Sequence, residues 1–523
     1  MKKRLAIVLM CLTLVSALTA CNLADMEVGG LIGELLENME GTEHIEYEPG
    51  IGDDYINHGT NINPGWEVET WYDVSIDYVE SEPYESLPPC QYDGAYAVVL
   101  SNQDMALNDN VEVHEFIQEA TANRNALVEE KYNIALIFKT ESDPIKLNDY
   151  VRNDVISGSG EYSIVYQQMG RAGSELVQGD RLLNLRELPY VDFDQPWWDA
   201  SVNDTLSIGN YLFMATGATT PDVTLQTSVI AFNARMMDES GLEYPYELVR
   251  EGRWTLDEML RMSKVMYSDL NGDGRRDDGD RLGFAGVTFD TDNAFMVATE
   301  SGLILKDTNR MPDLAQSDRL VATYEMLYEL CLNYGLYVSI SDYLASGVDA
   351  AMIPTKAFAD DRALFLGTTL GDLLEGELGG EMQVGLVPYP KLDKAQEEYH
   401  SPVNYLACAV MVPKSCQDPE LAGCVLEASA IFSDDEYSAA YQKLAMKNLS
   451  DPEAIDMFSL IMQTKDCDFT AAYFAVDAKD NGASMIFQEL LKNGSTGAAS
   501  AVRSKEKVLT KALKQLLEIA PSQ

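Results

Sequence analysis

Along the chain, apolar positions change period several times. Val68, Thr70, Tyr72, Val74, Ile76 and Tyr78 alternate, placing one face of an extended segment against a core. Val113, Phe116, Ile117, Ala120, Leu127 and Val128 then recur at helical spacing and predict an amphipathic helix. The run Ile134 to Phe138 follows as a short buried strand. Similar runs at Tyr162–Tyr166, Val229–Phe232, Val384–Val387 and Leu406–Val412 are separated by helical stretches. Short apolar strands between helices predict the α/β class with largely parallel sheets. Val508, Leu509, Leu513, Leu516 and Leu517 mark a last amphipathic helix within residues 495–523, expected to pack on the body of the protein. The chain carries no internal repeat.

The first 20 residues break this pattern. Lys2, Lys3 and Arg4 precede an apolar run from Leu5 to Leu18, too short for an ordinary membrane-spanning helix. Leu18-Thr19-Ala20-Cys21 resembles the lipobox of bacterial lipoproteins, which implies a signal peptide over 1–20 and a lipid on Cys21. Residues 21–65 are acidic, with scattered Gly, Asn and Pro, and read as a tether with one short helix around Leu31 to Met39. No later segment holds 18 consecutive apolar residues, so the expectation is an extracellular body held at the outer face of the cytoplasmic membrane by lipid alone.

Composition narrows the function classes. Lys and Arg number 37 against 85 Asp and Glu, a formal charge of −48, and loss of the signal peptide removes three more positive charges. Such a chain repels phosphate backbones, so nucleic acid is not an expected partner. With 46% hydrophobic residues over 523 positions there is material for a large core without disulfides. Cys90, Cys331, Cys408, Cys416, Cys424 and Cys467 could pair outside the cell, with buried free thiols the preferred reading; no C-x-x-C supports a zinc or redox site.

The sharpest chemical motif is Asp269-Leu-Asn271-Gly-Asp273-Gly274-Arg275-Arg-Asp277-Asp278-Gly-Asp280. Calcium takes six to eight oxygens, and a tight 12-residue loop supplies them. Asp269, Asn271, Asp273, Asp277 and Asp280 stand at loop positions 1, 3, 5, 9 and 12. Arg275 offers its backbone carbonyl at position 7, and Gly274 permits the turn at position 6. The loop resembles EF-hand and dockerin loops, departing at position 12, where Asp replaces Glu, and at position 8, where Arg replaces an aliphatic residue. A structural calcium ion is expected. Thr255-Leu-Asp-Glu258 is a capping box for the entering helix, and Gly283-Phe-Ala-Gly286 reads as a turn or strand in place of an exiting helix.

Catalytic signatures are sparse. The four histidines are 44, 58, 114 and 400. His114-Glu115 has no second His four residues on, and no Ser sits in a nucleophile elbow. Carboxylate pairs are inevitable among 85 acids and single out no glycosidase dyad. Trp197 and Trp198, in Asp-Phe-Asp-Gln-Pro-Trp-Trp, read as a packed corner rather than a sugar platform, and Trp254 as a helix anchor.

Several fragments, in order, resemble bacterial extracellular solute-binding proteins of family one, the maltose-binding class of ABC importer receptors. They are Ala122-Asn-Arg124-Asn125 with Val128 to Ile134; Ser157 to Tyr166; Leu182 to Asp199; Ser228 to Asn233; Gly252-Arg-Trp254-Thr255; Phe358 to Phe365 with Val384 to Pro390; and Ala409-Val-Met-Val-Pro413-Lys414. Together they cover about residues 110–430. The resemblance implies a two-lobed periplasmic-binding-protein-like fold of type II, with discontinuous lobes joined by crossover strands. It places lobe one at 66–228 plus 409–445 and lobe two at 229–408 plus 446–523. It implies a receptor, not an enzyme, that captures a solute such as an oligosaccharide between the lobes and delivers it to ABC permease subunits. The alternatives are a surface glycan-active enzyme and a lectin-like adhesin. By position, the ligand contacts fall on Gln167, Gln168 and Arg171 in lobe one and on Gln226 and Ser228 at the crossover. In lobe two they fall on Gly367, Thr368 and Thr369, with Tyr389 and Tyr405 as stacking surfaces.

Overall fold

The computed structural model describes residues 86–102, 115–274, 276–288, 290–315, 317–339, 352–374, 383–449, 451–474 and 486–521. The chain divides into two compact units, Met1–Val79 and Glu80–Gln523, and every described residue belongs to the second. The signal segment, Cys21, the tether, the alternation over 68–78 and Arg275 lie outside the described residues.

The strands, in chain order, are β1 (Ala95–Ser101), β2 (Ile134–Thr140), β3 (Ile164–Gln168), β4 (Ser228–Asn233), β5 (Leu282–Val287), β6 (Ile304–Lys306), β7 (Pro312–Leu314), β8 (Gly335–Val338), β9 (Ala363–Thr369), β10 (Val384–Val387), β11 (Ser401–Pro402), β12 (Cys408–Met411) and β13 (Lys465–Asp466). The principal helices are α1 (Glu115–Tyr132), α2 (Pro144–Ser157), α3 (Met169–Ala172), α4 (Ala200–Leu206), α5 (Leu256–Met266), α6 (Asp290–Ala298), α7 (Ser317–Leu332), α8 (Pro419–Asn448), α9 (Pro452–Gln463), α10 (Phe469–Phe474), α11 (Ile486–Lys492) and α12 (Ala498–Ile519). Every apolar run singled out above within these residues is a strand. β3, β4, β10 and β12 are buried along nearly their whole length, as strands covered on both faces are, whereas β2 has Ala135 and Ile137 exposed, which corrects the expectation of a buried strand there.

Two sheets dominate, one in each of two α/β lobes. The first has the order β12-β3-β1-β2 and the second β10-β4-β9-β5-β8. Their inner strands run parallel, β1 with β2 and β3, and β5 with β8 and β9. The crossover strands do not. β12 is antiparallel to β3, and β4 is antiparallel to both β9 and β10. The sheets are therefore mixed, which corrects the expectation of largely parallel sheets. A strand that leaves one lobe and enters the other arrives from the opposite end of its sheet, so it pairs head to tail.

Capping chemistry sets the helix boundaries. Asp143 accepts the amides of Ile145 and Lys146 at the start of α2, and Asp418 accepts that of Leu421 at the start of α8. Thr255 accepts the Glu258 amide, as the capping box requires. The Glu258 carboxylate does not complete the box; it pairs with Arg261 at 2.6 Å, which offers a charged donor one turn away. α8 packs along α1, α9 against β10, and α11 and α12 against α7. Within the stretch 446–523, α10 lies against α3 of the first lobe. The approach is close: a side chain on Gly173 would collide with the Ala472 carbonyl. In α12, Leu509, Leu513 and Leu516 are buried, whereas Val508 is 37% exposed.

Cys90 and Cys424 form a disulfide that ties the segment before β1 to α8, the alternative to the free thiols preferred from sequence. Their spacing of 334 residues carries no signal in sequence. Cys331, Cys408, Cys416 and Cys467 are not disulfide-bonded. Trp197 and Trp198 are buried and both donate their indole N–H to Glu427, at 3.0 and 3.1 Å, forming the packed corner expected. Trp254 is also fully buried and donates to the Pro388 carbonyl at 2.9 Å. Among the described residues no helix is long and apolar enough to cross a membrane.

Candidate functional site

Ligands of open α/β sheets bind outside the carboxyl ends of the strands. In the first lobe those ends are Ser101–Asn102, Thr140 and Gln168; in the second they are Val287–Thr288, Val338 and Thr369. Both edges meet the same crossover ribbon. Thr227 pairs antiparallel with Val403, and the Asn404 amide donates to Gln226 at 3.0 Å. On its other side the ribbon takes up a third strand, with Ser401 donating to Thr464 and Val403 to Asp466, each at 2.7 Å. Three chain segments thus cross between the lobes side by side. Such a ribbon bends by small dihedral changes without breaking either sheet, which is what a hinge requires.

The sequence-derived residues fall into two groups. Gln168 and Arg171, half-buried, stand where β3 enters α3, and Gln226 and Ser228 stand at the ribbon. Gly367, Thr368 and Thr369, also half-buried, end β9, and Ser228 is in register with Thr369. The Thr368 hydroxyl donates to Asp372 at 2.7 Å, and Asp372 also accepts the Thr369 amide. Ser228 and Thr369 thus lie together where β4 and β9 pair, Gln168 and Arg171 lie at the end of β3, and Gly367 backs onto the Tyr389 hydroxyl and the Phe284 ring.

Gln167 and Tyr389 belong to the interior instead. The Gln167 amide is fully spent in lobe one: Nε2 donates to the Pro144 carbonyl at 2.8 Å and to Asn148 at 2.9 Å, and Oε1 accepts the Gln168 amide. Successive strand side chains point to opposite faces, so Gln167 turns inward where Gln168 turns out. Tyr389 is 1% exposed, with its ring edge-on to Phe295 at 4.8 Å. Burial pushes its phenol well above the ordinary range. Tyr405 presses on Gly170, beside Arg171, and is 9% exposed.

Composition patterns gave no pointer to the polar residues at the floor of the cleft. Asp290 begins α6 directly after β5, at the carboxyl end of the sheet. Asn404 Nδ2 donates to Asp290 Oδ1 at 2.8 Å. Asn293, 7% exposed, lies one turn on. With Ser228 they line one hollow, too tight as it stands to admit a water molecule. Burial, with Asp292 and Asp372 nearby, raises the Asp290 carboxyl to about 6 against the pull of Asn404. The only signal in sequence is the string Asp290-Thr-Asp292-Asn293 directly after an apolar strand.

The oxygen-rich loop is closed at its base by paired hydrogen bonds between Ser268 and Arg281, 2.9 Å each. Asp269 accepts the amides of Gly272 and Gly274, Asn271 that of Asp273, and Asp277 that of Gly279. Asp280 accepts those of Leu270 and Asp277. Gly272 and Gly274 sit at positive φ, which only glycine adopts freely. The donors are all oxygen, the right chemistry for a hard cation. Among the described residues, however, no three carboxylate, His or Cys side chains converge as a metal-holding group.

No family model matches the chain, and no curated protein is similar to it in sequence. Solved structures are similar in fold. UspC of M. tuberculosis has a TM-score of 0.50 at 14% identity, over 80% of this chain and 100% of its own. The maltose/maltodextrin-binding domain MalE of Bdellovibrio bacteriovorus, bound to maltotriose, gives 0.49 at 12% identity, over 80% and 100%. A sugar transporter of Rhizobium etli in an open conformation gives 0.49 at 13%, over 82% and 100%. The likeness to UspC concerns the fold, which here is two mixed α/β lobes about a crossover, the type II architecture that the sequence fragments implied.

Proposed function

We propose that the chain is a substrate-binding receptor of an ABC importer that takes an oligosaccharide between its lobes and hands it to a membrane permease. The observation that carries this reading is the pair of sheets whose carboxyl edges meet at a three-segment hinge. Polar side chains line both edges, with Gln168 and Arg171 on one and Ser228, Thr368, Thr369, Asp290 and Asn404 on the other. Hydroxyls, amides and carboxylates at this density suit a polyhydroxylated solute, which offers a donor and an acceptor at each hydroxyl. A ligand touching both edges favours the form in which the lobes are drawn together, and a permease can read that form. Anionic solutes are disfavoured by the charge of −48.

In this reading Cys21 carries the lipid that keeps the receptor at the outer face of the cytoplasmic membrane, and calcium staples the loop 269–280 that follows α5. The support for the first is the lipobox, and for the second the oxygen spacing and the closed loop base. Neither group takes part in solute capture. Nothing in the proposed cycle makes or breaks a covalent bond. Titration calorimetry of the full chain against a panel of glycans, with product analysis after long incubation, tests the reading. Binding with the glycan recovered intact is expected. Release of smaller sugars would instead establish a glycan-active enzyme.

A further inference from the structure

The floor of the cleft is built from acceptors. Asp290 Oδ1 takes the Asn404 amide N–H, and Asn404 Oδ1 is already occupied by the Leu406 amide at 2.9 Å. Asn293, more than nine-tenths buried, lines the same hollow, and its Oδ1 has no hydrogen-bond partner. A buried acceptor left unmade costs about 1–3 kcal/mol, so the site holds an unmet demand for a donor. The demand is also one of charge. Asp292, buried two residues on, spends one oxygen on the Tyr337 hydroxyl at 2.8 Å, and Asp372 is held by Thr368 and Thr369. Among the described residues, no Lys or Arg forms an ion pair with Asp290 or Asp372. A hydroxyl would fill the hydrogen-bonding deficit and leave the charge of Asp290 uncompensated. An ammonium group brings three N–H donors and the missing positive charge together.

We infer that the solute carries an ammonium group, as an amino sugar does, and that this group is seated between Asp290 and Asn293 at the hinge end of the cleft. The inference rests on the receptor reading and narrows its ligand class. The hollow is lined by Ser228, α6 and the ribbon residues Pro402, Val403 and Asn404 and is too tight to admit a water, so α6 and the ribbon must move apart for the amine to enter. Charge-assisted hydrogen bonds are about twice as strong as neutral ones. An amine should therefore outbind the matching hydroxyl by roughly tenfold or more.

The test is titration calorimetry of the full chain at pH 7 with matched pairs. The pairs are glucosamine against glucose, and chitosan oligomers against their N-acetylated forms and cello-oligosaccharides of equal length. Preference for the free amine is expected, and it should vanish in Asp290→Asn, which keeps shape and removes charge. Asn293→Ala should weaken amine binding several-fold while leaving the charge intact, so it serves if Asp290→Asn does not fold. Neutral sugars bound as tightly as amines would overturn the inference and leave the receptor reading standing. Binding of no sugar of either class would overturn both. Binding of putrescine but of no sugar would support the ammonium site and overturn the oligosaccharide reading. Protection against thermal unfolding by sodium chloride alone equal to that by glucosamine would reduce the site to one for a bare cation and overturn the inference.

Discussion

Deprotonating His400 should weaken the hinge, and the effect can be sized. His400 directly precedes the ribbon strand β11. Its Nδ1 lies 3.1 Å from Asp466 on the neighbouring β13, and its Nε2 lies 3.3 Å from Glu300 after α6. Glu300 also faces Arg319 of α7 at 3.4 Å. Asp466 accepts the Thr205 hydroxyl of α4 at 2.8 Å, and the adjacent Lys465 pairs with Asp199 at 2.7 Å. Burial alone would lower the imidazole's affinity for its proton. The hydrogen bonds to Asp466 and Glu300 outweigh it and raise the pKa from 6.5 to about 9. A tenfold gain in proton affinity is worth about 1.4 kcal/mol, so the bound proton contributes ~3 kcal/mol to folding. Because the folded pKa is the higher one, that contribution is complete below about pH 6.5 and is lost as pH rises through about 9. Urea unfolding at pH 6, 7.5 and 9.5, on the wild type and on His400→Gln, measures it. The variant keeps a hydrogen-bonding group and cannot titrate. The wild type should lose ~2–3 kcal/mol relative to the variant between pH 6 and 9.5. Parallel pH profiles for the two proteins would refute the reasoning.

Other consequences follow from the same geometry. Glu427→Ala should cost about 2–4 kcal/mol, because two buried indole N–H groups lose their acceptor; a melting temperature within a degree of wild type would contradict this. Reducing the Cys90–Cys424 bridge, or replacing Cys90 with Ser, should remove about 2–5 kcal/mol, since a cross-link over 334 residues restrains the unfolded chain strongly. A reductant-insensitive melt would count against it. If calcium occupies the loop, metal-stripped protein should gain about 2.7 kcal/mol at a hundredfold excess over the dissociation constant, and Asp273→Ala should abolish the gain. A melt indifferent to calcium would remove the ion from the account.

The strands β2, β3, β4, β10 and β12 were legible in sequence because each is a short apolar run flanked by helical spacing, whereas β1 at Ala95–Ser101 went unread. Their direction was not, because periodicity reports which face is buried and carries no sign of strand polarity. That is why β4, β10 and β12 run against the expectation. Of the candidate contacts, Gln168, Thr368 and Thr369 do stand at the ends of β3 and β9, since strand ends are visible as the end of an apolar run. Whether a given residue turns inward was not visible. Gln167 and Gln168 are chemically identical neighbours, and only the pleat sends one to Asn148 and the other to the edge. Tyr389 was read as a stacking surface from its position near the crossover that the resemblance implies; packing against Phe295 decided otherwise. Asp290 and Asn404 are separated by 114 residues, and their hydrogen bond exists only because the hinge folds one over the other. The Cys90–Cys424 pair escaped sequence reading for the same reason.

The central claim is that a glycan is captured by lobe closure and not chemically changed. Small-angle scattering of the full chain, with and without the glycan that binds most tightly in calorimetry, tests it directly. The account predicts a smaller radius of gyration on saturation and full recovery of the intact glycan afterwards. Tight binding with an unchanged radius would contradict capture by closure and favour a rigid lectin-like surface.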